Sequence, residues 1–232
     1  MIKAIIFDLD NTLVDFMAMK DAAIESAALA MIDAGLKMPK KMVKEKIFEV
    51  YQEEGIEDQK VFDKFLVREL GGIDYRIHAA GIIGYRKARE AALVLYPHVR
   101  LVLMELMKRG IKLAVLSDAP RLQAWLRLCQ LNLHHIFDIV ITFEDTDKKK
   151  PAPEPFKLAL QRLKVTPEQA IMVGDWAERD IYGAKLLKIR TIFARYGDRF
   201  GTEKSGADHE IDDIIQLLDI VDTLSGGGSN RL

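Results

Sequence analysis

The chain of 232 residues carries 49% hydrophobic and 30% charged side chains, which excludes a disordered protein and allows one large domain or two small ones. Its 34 lysines and arginines nearly balance its 35 acidic residues, so no excess of positive charge favours nucleic acid as a partner. The single cysteine, Cys129, excludes an internal disulfide, and we expect it to be buried in a leucine-rich helix. No apolar run reaches the roughly 18 residues of a membrane span, so we expect a cytoplasmic protein with no membrane partner.

The first predicted element is a strand, and a long helical stretch follows it. Ala4–Phe7 is short and apolar, whereas the next strand pattern begins about a hundred residues later. A crossover between parallel strands needs only about a dozen residues. The intervening sequence has helical patterns over 16–34, 41–54, 58–70 and 75–92, separated by glycine-containing breaks. We therefore predict an inserted all-helical subdomain over residues 15–96, surrounded by a core of residues 1–14 and 97–225.

Strand and helix patterns alternate through the rest of the chain. Apolar runs that predict strands lie at Leu113–Leu116, Ile139–Ile141 and Ile171–Val173, with a candidate fifth strand at Thr191–Ala194. Helical patterns lie at 99–108, 156–163, 181–187 and 213–224, and residues 226–232 are typical of a flexible tail. This alternation predicts an α/β fold with a Rossmann-like parallel sheet and helices on both of its faces.

The segment directly after the first strand carries the strongest chemical signal. It contains Asp8 and Asp10, which an extended chain would direct to the same side. Two neighbouring carboxylates repel each other, so one of them should bind a cation or hold a proton. Such a pair suits a nucleophile and a proton shuttle. A polar turn that caps the next helix explains this segment equally well when it is considered alone.

Polar residues also follow the other predicted strands, whose carboxyl ends meet at one edge of a parallel sheet. Ser117 supplies a hydroxyl group, the lysine run 148–150 lies beside prolines and offers a positioned cation, and Asp175 follows Gly174 as a hard oxygen ligand. Asp180 lies at the start of the next helical pattern, where an acid also favours the helix dipole. Each residue alone is compatible with a turn or a solvated surface; their shared edge predicts a functional site.

In this combination the sequence resembles the haloacid dehalogenase-like (HAD) hydrolase superfamily, subfamily I. The segments that match its four motifs are Asp8–Thr12, Ser117, Lys150–Pro151, and Gly174–Asp175 with Asp180. The helical insertion resembles the C1-type cap of that superfamily. The resemblance implies a Mg²⁺-dependent phosphatase that acts on small phosphorylated metabolites.

The resemblance also implies a role for each residue. Asp8 would attack phosphorus to form an aspartyl-phosphate, Asp10 would act as general acid and then as general base, and Lys150 would offset negative charge. The carboxylates of Asp8 and Asp175 and the backbone carbonyl of Asp10 would hold Mg²⁺. Asp180 would lie next to these ligands without binding the metal directly. Thr12, Ser117 and Asp118 would bind the substrate.

Two residues depart from the family pattern, and three alternative functions stay open. Asp118 stands where relatives often have asparagine, and Trp176 stands where a small hydroxyl residue is common. A 2-haloacid dehalogenase would need neither Asp10 nor a metal, and a phosphomutase would use the same acid pair. A catalytically silent binding module would bind Mg²⁺ without turning over any phosphate ester. We expect a monomer or a homodimer.

Overall fold

The computed structural model describes residues 1–226, which form two compact units. One unit combines Met1–Asp15 with the described residues from Val94 onward, and the other is Phe16–Leu93. The tail predicted over 226–232 lies, apart from Gly226, outside the described residues. Over residues 1–226, no helix combines the length and the apolar character that a bilayer span requires.

The first unit is built on a parallel sheet. Its strands are β1 (Ala4–Phe7), β2 (Lys112–Leu116), β3 (Ile139–Ile141), β4 (Ala170–Gly174), β5 (Arg190–Ala194) and β6 (His209–Ile211). Within the described chain they form one six-stranded sheet in the order β3-β2-β1-β4-β5-β6. The predicted α/β fold is therefore confirmed, including its candidate fifth strand. The sequence analysis missed β6, because this edge strand of three residues includes a histidine and a glutamate and has no apolar run.

The second unit is entirely helical over its described residues. It consists of α1 (Phe16–Asp33), α2 (Lys40–Glu54), α3 (Val61–Leu70) and α4 (Tyr75–Ala92). Its apolar core includes Met31, Ile47 and Phe65. The helices α1 and α4 approach closely at Gly84, where an added Cβ would lie 2.7 Å from the Ser26 carbonyl oxygen.

Helices of the first unit cover its sheet. They are α5 (Val99–Lys108), α6 (Arg121–Gln130), α7 (Pro153–Leu163), α8 (Tyr182–Leu186) and α9 (Gln216–Leu224). Phe156 of α7 and Ala184 of α8 pack with Ile6 and Met172 on one face of the sheet. The alternate residue Phe7 is also buried and directs its side chain to the opposite face. This two-sided burial explains the continuous apolar strand runs.

Helix α6 corrects one expectation. Ala124 and Leu128 lie on its buried face, whereas Cys129 is exposed. The prediction of a buried cysteine was wrong because residue 129 lies outside the inward-facing stripe that Ala124 and Leu128 define.

The strand register brings the predicted polar residues to one edge of the sheet. Phe7 of β1 pairs with Val115 of β2 and with Val173 of β4. The Asp8 backbone N–H donates a hydrogen bond to the Val173 carbonyl oxygen at 2.9 Å. The residues that directly follow β1, β2 and β4 therefore leave the sheet at the same level.

Candidate active site

A tight loop after β1 holds the acidic pair. The N–H groups of Leu13 and Val14 donate to the carbonyl oxygen of Leu9, at 3.0 and 3.1 Å. Asn11 completes the turn with a φ of 61°, in the left-handed region that asparagine tolerates better than most residues. Asp8 is buried at the base of this loop, and Asp10 is partly exposed.

Lys150 supplies a buried cation next to Asp8. Its Nζ contacts a carboxylate oxygen of Asp8, the Leu116 carbonyl oxygen at 3.0 Å, and Asp180 Oδ1 at 2.7 Å. The peptide bond between Lys150 and Pro151 is cis. The ammonium group is thus held by three oxygen atoms that belong to different segments of the chain.

Asp175 and Asp180 complete a buried acidic cluster. The Thr12 hydroxyl donates to Asp175 Oδ1 at 3.0 Å, and the Trp176 backbone N–H donates to Asp180 Oδ2 at 3.0 Å. Gly174 makes this arrangement possible, since a Cβ there would lie 2.4 Å from Asp180 Cγ. Carboxylate oxygens of Asp8, Asp175 and Asp180 lie within 4.8 Å of one another.

The electrostatics of the cluster favour a bound cation. Burial raises the pKa of Asp8 to about 8, and although Lys150 opposes this effect, the charges of Asp180 and Asp10 add to it. Burial and the charge of Asp8 also raise the pKa of Asp175. Burial lowers the pKa of Lys150, but Asp180 and Asp8 outweigh this and hold it above its ordinary value. The Lys150 ammonium contacts Asp8 and Asp180, and the Asp175 carboxylate lies beside them. Such a hard-oxygen donor set fits a divalent metal ion.

Asp10 has a different cation from Asp8. The Nη1 atom of Arg127, on α6, donates to Asp10 Oδ2 at 2.9 Å. Arg127 was not among the residues predicted from the sequence. Its spacing was a usable signal, because residues 124, 127 and 128 share the inward face of an amphipathic helix, where an arginine is unusual.

Ser117 and Asp118 lie beside this site at the end of β2. The Ser117 hydroxyl oxygen accepts from the Ala119 N–H at 3.1 Å, which leaves the hydroxyl proton for donation. Asp118 Oδ1 accepts from the Lys150 backbone N–H at 2.9 Å, and its Oδ2 lies 3.3 Å from Arg179 Nη1. The unexpected negative charge at position 118 is therefore paired, and it supports the segment that carries Lys150.

The loop after β5 is a further part of the site that the sequence analysis missed. The Tyr196 hydroxyl donates to the Thr12 carbonyl oxygen at 2.8 Å. Gly197 lies so close to the β1 loop that an added Cβ would be 1.8 Å from the Asn11 carbonyl oxygen. Since β5 was a candidate strand, the rule that functional groups follow strand ends could have indicated residues 195–197.

Trp176 lies in a small aromatic group that extends from Asp175. Its ring stacks on Phe200 with 4.4 Å between ring centroids, and the Arg179 guanidinium lies 3.7 Å from the Trp176 ring centroid. Trp176, which stands where the family commonly has a small hydroxyl residue, therefore packs against Phe200 and Arg179.

The structure thus brings most of the predicted residues together, with three differences in their partners. Asp8, Lys150, Asp175 and Asp180 form one contact network. Asp180, expected behind the metal ligands, belongs to the carboxylate cluster itself, whereas the Asp10 side chain pairs with Arg127. Thr12, expected at the substrate, directs its hydroxyl to Asp175.

Comparisons with known proteins place this fold and site in a class. The family model described as haloacid dehalogenase-like hydrolase matches residues 2–187. The chain therefore belongs to this family, and the predicted family resemblance is confirmed.

Individual relatives refine the class. The chain is 36% identical over 227 residues to a glyceraldehyde 3-phosphate phosphatase of Methanocaldococcus jannaschii, covering 97% of this chain and 99% of that protein. It is 34% identical over 230 residues to one of Pyrococcus furiosus, covering 97% and 95%. A crystal structure of a HAD phosphatase from Thermococcus onnurineus matches with a TM-score of 0.69 at 26% identity, covering 95% and 98%. The prediction of a phosphate-ester hydrolase is confirmed by these near full-length relatives.

Proposed function

We propose that this chain hydrolyses a small phosphorylated metabolite of the triose phosphate class, with Mg²⁺ as its metal and Asp8 as its nucleophile. The observation that carries this proposal is the buried contact of Asp8 with Lys150 beside the Asp175 and Asp180 carboxylates. The full-length similarity to glyceraldehyde 3-phosphate phosphatases supports the substrate class.

Asp8 attacks the phosphorus atom in line and forms an aspartyl-phosphate, which water then hydrolyses. Its burial limits competing solvent contacts, and Lys150 offsets negative charge on the attacking carboxylate and on the transferring phosphoryl group. The Ser117 hydroxyl lies at the end of the neighbouring strand and donates to a phosphoryl oxygen. Asp118 supports the site indirectly through the Lys150 backbone.

Asp10 transfers protons in both steps. It protonates the leaving oxygen while Asp8 attacks, and it then removes a proton from the water that cleaves the aspartyl-phosphate. The partial exposure of Asp10, in contrast to the burial of Asp8, is consistent with access to a leaving group and to water. A dehalogenase would have no use for this second acid.

The carboxylates of Asp8 and Asp175 and the Asp10 backbone carbonyl would hold Mg²⁺, with Asp180 close enough to contribute an oxygen directly or through water. When bound, the metal would reduce the repulsion between an anionic nucleophile and an anionic phosphate ester. Thr12 contributes by fixing Asp175 through its hydroxyl group.

The helical unit Phe16–Leu93 is proposed as the C1-type cap, whose residues set substrate specificity. The cytoplasmic location and the choice between monomer and homodimer stay predictions.

Phosphate release from glyceraldehyde 3-phosphate and from p-nitrophenyl phosphate tests the proposal. We expect activity with Mg²⁺, loss of activity with EDTA, and recovery when Mg²⁺ is added back. Asp8→Asn should abolish turnover, whereas Asp212→Asn, which changes an exposed aspartate, should not. Mass spectrometry of acid-quenched wild-type enzyme should detect one added phosphoryl group on the peptide that contains Asp8.

Different results would direct the work elsewhere. Full activity of Asp8→Asn would exclude the proposed nucleophile, and activity in EDTA would exclude the proposed metal site. Halide release from a 2-haloacid would favour the dehalogenase. Isomerisation of a sugar phosphate without phosphate release would favour the phosphomutase, and Mg²⁺ binding without turnover would favour the silent module.

A further inference from the structure

Arg127 is a buried cation that the family motifs do not include. It lies in the second half of α6, and the residue is 6% exposed. Burying an arginine is unfavourable unless charged or polar partners compensate for its lost hydration. A buried arginine at this position therefore needs polar or charged partners, and Asp10 is one of them.

The contact joins two elements that are distant in the sequence. Arg127 Nη1 donates to Asp10 Oδ2 at 2.9 Å, and the two side chains are 8% and 22% exposed. Asp8, two residues earlier, contacts Lys150 instead. Each carboxylate of the acidic pair is thus held by its own cation, and the two cations come from different segments of the chain.

We propose that Arg127 is a positioning residue that fixes the Asp10 carboxylate for proton transfer to the leaving group. Arginine keeps its own protons at every physiological pH, so it orients Asp10 without taking part in proton exchange. A hydrogen bond to Oδ2 restricts rotation of the Asp10 carboxylate. This inference rests on the proposed function, in which Asp10 is the general acid.

A dependence on the leaving group distinguishes positioning from a purely structural ion pair. A p-nitrophenolate ion is stable and leaves with little help from an acid, whereas the alkoxide released from glyceraldehyde 3-phosphate requires a proton. A misplaced Asp10 should therefore slow hydrolysis of the alkyl ester far more than that of the aryl ester. A general loss of structure should slow both reactions to the same extent.

The experiment compares kcat/KM for glyceraldehyde 3-phosphate and p-nitrophenyl phosphate, because this ratio reports the steps up to leaving-group release. We expect Arg127→Met to lower kcat/KM by about 100-fold for the alkyl ester, and by less than about tenfold for the aryl ester. Arg127→Lys keeps the buried charge and should show a smaller difference between the esters. Arg121→Met, on the same helix with an exposed side chain, is the matched control and should leave both values unchanged.

A double-variant test asks whether Arg127 acts through Asp10. In an Asp10→Asn background, Arg127→Met should cause little further loss on the alkyl ester, since residues that act through one group are not additive. Equal losses on both esters in a folded variant, or full additivity in the double variant, would overturn the proposal. If the wild type hydrolyses neither ester, the proposed function itself fails, which separates the two conclusions.

Discussion

Gly197→Ala is a severe test of how the loop after β5 supports the site. An ideal Cβ at this position lies 1.8 Å from the Asn11 carbonyl oxygen and 2.9 Å from Asp175 Cβ. The carbonyl oxygen belongs to the backbone of the β1 loop, so it has no rotamer that would move it away. The substitution therefore forces the two loops apart.

The structure sets the size of this displacement. Real Cβ contacts essentially never fall below 3.0 Å, so the Asn11 oxygen and the new methyl group must separate by at least about 1.2 Å. Asp8 and Asp10 lie on the displaced β1 loop, and the Asp175 Cβ lies 2.9 Å from the new methyl group. A misplacement of about 1 Å in a catalytic group costs on the order of 100-fold in rate. Overpacking should also cost about 1–3 kcal/mol of folding free energy.

Steady-state kinetics on p-nitrophenyl phosphate and thermal unfolding measure the two effects. We expect kcat/KM of Gly197→Ala to fall by about 100-fold and its Tm to fall by several degrees. Gly72→Ala is the control, because a Cβ there meets no atom within 4 Å. If Gly197→Ala kept wild-type kcat/KM and Tm, the close approach of Gly197 to Asn11 would have no role in holding the site.

Three further predictions follow from the same structure. Lys150→Met leaves Asp8 and Asp180 buried without their ammonium partner and should lower the free energy of unfolding by about 3–5 kcal/mol in urea titrations; a change below about 1 kcal/mol would contradict this. Folding raises the pKa of Asp8 from 3.8 to about 8. Between these two pH values the folded chain holds a proton on Asp8 that the unfolded chain has released, so the free energy of unfolding in EDTA should fall as the pH rises towards 8. Mg²⁺ competes with that proton, so it should raise Tm more at about pH 8.5 than at about pH 6, and a larger increase at pH 6 would refute the argument. Gly84→Ala places a methyl group 2.7 Å from the Ser26 carbonyl oxygen and should cost about 1–3 kcal/mol by overpacking α1 against α4, again with Gly72→Ala as the neutral comparison.

Much of the fold could be predicted because strands that are buried on both faces of a parallel sheet have apolar residues at nearly every position. The buried strands β1 and β4 are apolar throughout, and β2 is apolar after its exposed first residue, Lys112. Each is followed directly by polar or small residues. Functional groups in parallel sheets collect at the carboxyl ends of the strands, which predicts Asp8, Ser117 and Asp175 at one edge of the sheet. The register of β1, β2 and β4 brings the ends of these strands to that edge.

The missed features depend on contacts between segments that are far apart in the sequence. Asp10, which Arg127 contacts, is 117 residues away, and nothing local to α6 specifies this contact. Gly197 is needed because of the Asn11 carbonyl oxygen, which only the folded chain brings beside it. The acidic segment could indicate that Asp8 and Asp10 would share a side, but not that they would have separate cations.

That separation of partners explains how two identical side chains can take different roles. Asp8 is enclosed by Lys150, Asp175 and Asp180, in surroundings suited to a metal ion and to attack on phosphorus. Asp10 is more exposed and is held by the Arg127 guanidinium, in surroundings suited to moving a proton. If the side chains were equivalent, the pair would share one proton and neither role would be assigned. In the proposed mechanism, these distinct supports assign the attack on phosphorus to Asp8 and the proton transfer to Asp10.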